Sequence, residues 1–278
     1  MLPWVVQKMP WTSDFVVSHE NPPTVQLMDS SDGRDTATAC NTSLRQVIAT
    51  AVEQHTFKGF DRAVSECFRI IGAQLPIHIN RTASAIFGTA VQGVHMVVYK
   101  HTEDQMKIWV PSRPSTAFSF PGLLDSAVGG GVQAAQSPMQ AVIQEADEEA
   151  SLPGEYLKNH MRSCGALTYM SYTDDRTGYE NGLMVPEVVY VYELEIPSEM
   201  ELKPKDDEVE RYTLMDVDEI AQSLKTRQFK PSSAAVMVDF LIRHGIITDE
   251  NEENYLSLVR HNHRDLPVAL SRSCGGKL

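Results

Sequence analysis

The stretch 129–152, GGGVQAAQSPMQAVIQEADEEASL, holds the residue types best suited to chemistry. At about 100° per residue, Met139, Val142, Ile143, Ala146 and Ala150 collect on one side of a helix, which should be the buried stripe. Glu145, Glu148 and Glu149 collect on the other side. Spacing of i, i+3 and i+4 makes these carboxylates neighbours, at a cost of roughly a few tenths of a kcal/mol per like-charged pair on an exposed face. A solvated surface tolerates that cost. A divalent cation reverses it, since hard oxygen donors are what Mg²⁺ selects, with Mn²⁺ the alternative. The glycines Gly129, Gly130 and Gly131 favour the cation, because a Gly-rich turn lets backbone come close to a phosphate or metal.

The elements that must position these carboxylates are legible around them. Ser137 is a good N-cap, Pro138 suits the first helical position, and Gln140 can close a capping box onto Ser137. Pro153-Gly154 should end the helix. Upstream, 94–100 (VHMVVYK) and 106–110 (MKIWV) are strand-like and joined by a turn-length polar link, a β-hairpin. Downstream, 185–196 (VPEVVYVYELEI) reads as a long strand, 203–210 as a charged turn, and 212–215 as a short strand. Helices follow over 216–224, over 232–244 closed by Gly245, and over 251–263. Before all of this, residues 1–40 suggest loops and short strands. Two helices are expected between Ser43 and Gly72, the second carried by Phe60, Val64, Cys67, Phe68 and Ile71. A mixed sheet sandwiched by helices fits this order.

The segment resembles a Nudix box, whose pattern is G-x5-E-x7-R-E-U-x-E-E-x-G-U with U a bulky apolar residue. In register, Gly130 is the leading glycine, Gln144-Glu145 stands for R-E, Glu148-Glu149 for E-E, and Leu152 for the last apolar position. Gln136 stands where the box has its first Glu, Gln144 where it has Arg, and Ser151 where it has the final Gly. Paired loss of the Arg and the first Glu reads as a neutral swap of an ion pair by polar groups. The resemblance implies a Nudix α/β/α sandwich with a mixed sheet, an α/β fold. It implies that Glu145, Glu148 and Glu149 are both metal ligands and catalytic residues, and that a small organic diphosphate is the substrate.

Further segments are similar to one branch of the family, the fungal and plant group related to part of some thiamine pyrophosphokinases. They include Gly93-Val94-His95, Lys107 to Arg113, Pro121-Gly-Leu-Leu-Asp125, Asp207 to Glu210, Phe229-Lys-Pro231 and Asp239 to Gly245. The branch implies a smaller α+β accessory domain over 1–85, a Nudix domain over 86–270 and a tail over 271–278. It also implies cleavage of thiamine diphosphate, or its oxidised analogues, to the monophosphate. Ala117, Ser126 and Ser232 replace polar or cationic residues usual in the branch, as they would in a lineage turned to a prenyl diphosphate of terpenoid metabolism. Glu208 and Glu210 lie in the charged turn where such enzymes place a further acid; Glu208 is the candidate general base. Gly130 and Gly131 are candidate substrate-binding positions. Arg113 is another, with a bidentate phosphate contact set against a surface salt bridge. Gln136 and Gln144 also admit a reading of another class, a catalytically silent diphosphate-binding module.

Tyr99 and Trp109 are read as core rather than stacking platforms, and His261 and His263 lack a third ligand nearby. The 278 residues carry 24 Lys and Arg against 37 Asp and Glu, a net charge of −13. Such a chain is a poor partner for nucleic acid, whose binding rests on Lys and Arg against phosphate. The longest uncharged stretch, 82–99, is too polar for a membrane span. Cys40, Cys67, Cys164 and Cys274 form no C-x-x-C pair and, with no basic leader ahead of them, suit reduced thiols in the cytoplasm. The terminal Gly-Lys-Leu is a loose echo of a peroxisomal address. A monomer or a homodimer is expected.

Overall fold

The protein is described by a computed structural model over residues 1–61, 65–102 and 105–271. Val64, Cys274, the tail beyond Ser271 and the terminal Gly-Lys-Leu lie outside the described residues, as does part of the hairpin turn.

The N-terminal third opens with α1 (Pro3–Lys8), the antiparallel pair β1 (Phe15–Ser18) and β2 (Thr24–Leu27), and the long helix α2 (Thr36–Glu53). Asp35 caps α2 by accepting from Thr38 N–H. The second helix expected before Gly72 does not form. Phe60 sits in a single 3₁₀ turn, and Cys67–Arg69 is a strand, β3, pairing antiparallel with β4 (His78–Asn80). Short apolar runs carry no reliable period, and here pairing with β4 decides. Asn80 then caps α3 (Arg81–Phe87).

The main sheet is mixed, in the order β10-β6-β5-β9-β8. Its centre is β5 (Val91–His101), antiparallel to β6 (Met106–Ser112) as the hairpin required. The same edge of β5 carries a second partner at its other end, β7 (Val128–Gly131), through the pairs Gly93↔Gly131 and His95↔Gly129. The three glycines are therefore an extended strand and not a phosphate-cradling turn. After β7 come α4 (Pro138–Ala150) and a short helix, α5 (Gly154–His160). Then follow β8 (Arg162–Tyr172) and the central β9 (Met184–Glu195), which runs parallel to β5 and antiparallel to β8. β10 (Arg211–Asp216), α6 (Val217–Lys225), α7 (Pro231–Arg243) and α8 (Tyr255–Asn262) complete the chain.

Two apolar layers enclose this sheet. On one face Val94, Met96, Val98 and Trp109 pack with Val142, Ala146 and Ala150 of α4. On the other, Val97, Tyr99, Ile108 and Val191 pack with Val236, Met237 and Phe240 of α7. This is the α/β/α sandwich with a mixed sheet, and Tyr99 and Trp109 belong to its core. Burial on both faces explains why β9 shows no clean alternation. A third cluster, built by α1, α2, α3 and Phe57, includes Leu183 and Val185 at the start of β9.

Candidate active site

Helix α4 begins as its residues dictate. Ser137 Oγ accepts from Gln140 N–H and the Gln140 side chain accepts from Ser137 N–H, so the capping box is complete with Pro138 at the first turn. Its buried stripe is narrower than expected: Val142, Ala146 and Ala150 are buried, but Ile143 is only partly buried and Met139 is 41% exposed. The helix ends at Ala150, before Pro153. Ser151 caps it with φ 55°, the left-handed conformation that favours glycine, which accounts for the Gly of the family pattern.

The three carboxylates differ in setting. Glu148 is exposed, Glu145 half-buried and Glu149 buried at 7% exposure. Glu149 Oε2 accepts from Gly129 N–H at 2.8 Å, which ties α4 to β7. Glu145 lies over Gly130: a methyl group there would fall 1.9 Å from Glu145 Oε1. Gly130 thus gives the carboxylate its room. Gly129 and Gly131 do the same for the rings of His95 and Phe68, 2.9 and 2.8 Å from the corresponding methyl positions.

Burial, then the charges of Glu148 and Glu208, push the Glu145 carboxyl up to about 7, against the pull of Arg81. Burial first, with Glu145, Asp125 and Glu208 adding, raises Glu149 well above its ordinary value against the opposing Gly129 hydrogen bond. Acids crowded this way favour a cation among them. Among the described residues no three His, Cys, Asp or Glu side chains converge as a ligating set. The donor chemistry nevertheless fits a hard divalent ion: three carboxylates on adjacent turns, with their negative charges incompletely offset. Gln136 Nε2 donates to Gln144 Oε1 at 2.6 Å, and Gln144 Nε2 to Glu148 Oε1 at 2.9 Å. A neutral amide relay therefore stands where the family pattern has charged residues.

A cavity of about 520 Å³ opens beside β7. Gly129, Gly130, Gly131, Glu208 and Arg113 line it, whereas Glu210, facing Ser112 through its backbone, is not among its lining residues. Arg113 Nη1 donates to Asp125 Oδ2 at 3.0 Å and its Nε to Ser119 O at 3.1 Å. It is a largely buried ion pair on the cavity wall and not a surface salt bridge. Lys230 Nζ, also lining the cavity, reaches the same Asp125 oxygen at 3.3 Å. Burial alone would raise Asp125; the charges of Lys230, His95 and Arg113 hold it well below the carboxylate range. The other Asp125 oxygen accepts from Ser126 N–H and Ser233 Oγ, and Ser126 Oγ meets His95 Nδ1.

Several cavity residues escaped the sequence reading. Arg81 and Phe68 arrive from the N-terminal third, with Arg81 bonded to Glu66 at 2.7 Å. Tyr169 and Glu187 come from the paired strands β8 and β9. Asp125 and Lys230 stood inside quoted motifs, which was the available signal. Nothing in the sequence near Arg81 or Glu187 marks either.

The fold and the acid-bearing helix define a class, an α/β/α protein whose acidic helix packs on a glycine strand that lines a cavity. The family model described as NUDIX domain matches residues 91–237, just over half of the chain, and the chain belongs to that family. It is similar to the "Uncharacterized protein YJR142W" of Saccharomyces cerevisiae, 36% identical over 195 residues, covering 68% of this chain and 57% of that protein. It is also similar to "Nudix hydrolase 20, chloroplastic" of Arabidopsis thaliana, 32% identical over 189 residues, covering 67% and 48%. The chain spans about half the length of the curated relatives it matches. Among solved structures, the E. coli dihydroneopterin triphosphate pyrophosphohydrolase aligns with a TM-score of 0.41 and 16% identity, covering 55% of this chain and 95% of that one.

Proposed function

We propose that the chain hydrolyses the diphosphate of a small organic substrate, with Glu145, Glu148 and Glu149 as ligands for Mg²⁺ or Mn²⁺. Within this reading residues 86–270 are the hydrolase domain and residues 1–85 an accessory region. The single observation that carries it is the packing of Glu145, with Glu148 and Glu149 on the adjacent turn of α4, over Gly130, which lines the cavity. A bound divalent ion supplies Lewis-acid stabilisation of the charge on phosphate oxygens. The chain's own residues do the rest. Arg113 and Lys230 present positive charge to the cavity from a shared carboxylate. Glu208, exposed and lining the same cavity, takes the proton of the attacking water. The water oxygen forms the new bond to the terminal phosphorus, the anhydride P–O bond breaks, and inorganic phosphate and a phosphomonoester leave.

The similarity to the thiamine-related branch makes thiamine diphosphate and its oxidised analogues the first substrates to try, and a prenyl diphosphate the alternative. The substrate is read as a small molecule and not nucleic acid, the site of action as the cytoplasm, and the protein as a monomer or homodimer. No helix among the described residues is long and apolar enough to cross a membrane. The relay Gln136–Gln144–Glu148 favours a second reading, a diphosphate-binding module without turnover, because it leaves Glu148 bonded to a neutral amide.

Release of inorganic phosphate with Mg²⁺, assayed over thiamine diphosphate and geranyl diphosphate, whose diphosphates are terminal, separates the two. Turnover that falls at least a hundredfold in Glu149→Gln is the expected result. Ligand-induced thermal stabilisation without product from any of these substrates would establish the module instead.

A further inference from the structure

The diphosphate reading leaves one group of cavity-lining residues unused. Glu187 of β9 faces Tyr169 of β8 across the sheet; the two are register partners. Tyr169 Oη donates to Glu187 Oε2 at 3.0 Å, and Ser171 Oγ donates to Oε1. All three residues line the cavity. Among the described residues no Lys, Arg or His forms an ion pair with Glu187. Lys230 acts on it from a distance but is bonded to Asp125. Burial pushes the Glu187 carboxyl up, and the two hydroxyls and Lys230 offset this only in part. A carboxylate held in a low-dielectric wall without a counter-charge is costly unless a ligand compensates it.

The strand pairings give its distance from β7, beside which the acids of α4 pack. Gly131 pairs with Gly93, and Gly93 with Val189, two residues from Glu187 on the same face. Two strand spacings of about 4.8 Å and one two-residue step of about 6.6 Å separate Glu187 from Gly131 by about 12 Å. That is the span of a diphosphate joined by a short linker to a ring. Phe68, Phe120 and Tyr179 line the same cavity and offer flat surfaces for a ring.

We propose that Glu187, held by Tyr169 and Ser171, determines specificity by selecting diphosphates whose organic part is a nitrogen heterocycle bearing positive charge or N–H donors. The inference rests on the diphosphate-hydrolase reading and narrows it. A prenyl chain offers neither donor nor charge and would leave the carboxylate uncompensated.

The full chain with Mg²⁺ is assayed for kcat/KM on thiamine diphosphate and on geranyl diphosphate, as wild type and as Glu187→Gln. The wild type is expected to favour thiamine diphosphate, and the variant's ratio of the two to fall at least tenfold, mainly through KM. Calorimetric binding of unphosphorylated thiamine without metal probes the ring subsite separately from hydrolysis. The wild type is expected to bind, Glu187→Gln to bind at least tenfold more weakly, and Glu187→Asp to recover part of the loss. If neither diphosphate is turned over but thiamine binding follows Glu187, the hydrolase reading fails and the subsite stands. A wild-type preference for geranyl diphosphate, an equal effect of Glu187→Gln on both substrates, or no thiamine binding overturns the subsite. Where Glu187→Gln melts early, Tyr169→Phe replaces it, with a severalfold fall in the same ratio expected and an unchanged ratio overturning the proposal.

Discussion

At the scale of single residues, the groups that titrate most unusually are not all in the proposed chemistry. His95 sits at 5% exposure beneath β7, bonded to Ser126. Burial first, then the charge of Lys230, lowers its imidazole from 6.5 to about 4, with Asp125 opposing. Between those two values the unfolded chain binds a proton that the folded chain refuses, so stability falls as pH drops from 6.5 toward 4. The full contribution is roughly 3 kcal/mol, from about 1.36 kcal/mol per pH unit. Asp125, held below the carboxylate range, acts in a lower window: its contribution is present above its ordinary value of 3.8 and is lost only as pH falls below it. Over the His95 window the raised carboxyls of Glu145, Glu149 and Glu187 take up protons in the folded chain and act with the opposite sign, so urea midpoints from pH 7 to 4.5 report the balance and the His95 share is read from its own imidazole. An imidazole NMR titration is expected to show His95 neutral down to pH 5, and a midpoint near 6.5 would contradict the buried Ser126 contact.

At the scale of elements, the pairing of β7 with α4 is what places the acids. Gly130→Ala puts a methyl group where the Glu145 carboxylate lies. Overpacking of this kind costs about 1–3 kcal/mol, and Glu145 should swing away, with phosphate release falling at least tenfold while the strand itself persists. Ser137→Ala is the control: loss of the cap costs about 1 kcal/mol but leaves Glu145 over Gly130, so the melting temperature drops with little change in turnover. Thermal melts and phosphate release on the same samples check both. The contrast also shows what was legible in the sequence. The cap, the box and the acid spacing of α4 are local, and the residues within one or two turns decide them. The hairpin β5–β6 and helix α7 were legible for the same reason. The glycine strand was not, because three glycines signal a turn until a partner such as 93–96 is known. β3 was masked by an ambiguous apolar run. β8 is a polar edge strand bent at Gly165, with a register shift between Ser163 and Ala166, and carries almost no apolar alternation. Arg81 and Glu187 are brought to the cavity by long-range pairing alone.

At the scale of the whole molecule, the relation between residues 1–85 and the rest decides whether the site can exist without them. The N-terminal cluster does not close on itself: Leu183 and Val185, at 1% and 7% exposure, are buried among Val47, Phe57, Ile79 and Ile86. Phe68 and Arg81 also form part of the cavity wall beside Gly131. A chain beginning at residue 86 would bare both aliphatic side chains at the start of the strand that carries Glu187. Each is worth about 1.5–3 kcal/mol of burial, and in a domain of this size one kcal/mol shifts the melting temperature by about 2–4 °C. The truncated chain is therefore expected to melt about 10 °C below the full chain, with increased light scattering on heating. Glu187 lies two residues from Val185, so the ring subsite should loosen before the carboxylates of α4 do. Loss of thiamine binding should then precede loss of metal-dependent turnover as the truncated chain is warmed. Melting at the full chain's temperature with both activities intact would instead make residues 1–85 an independent attachment.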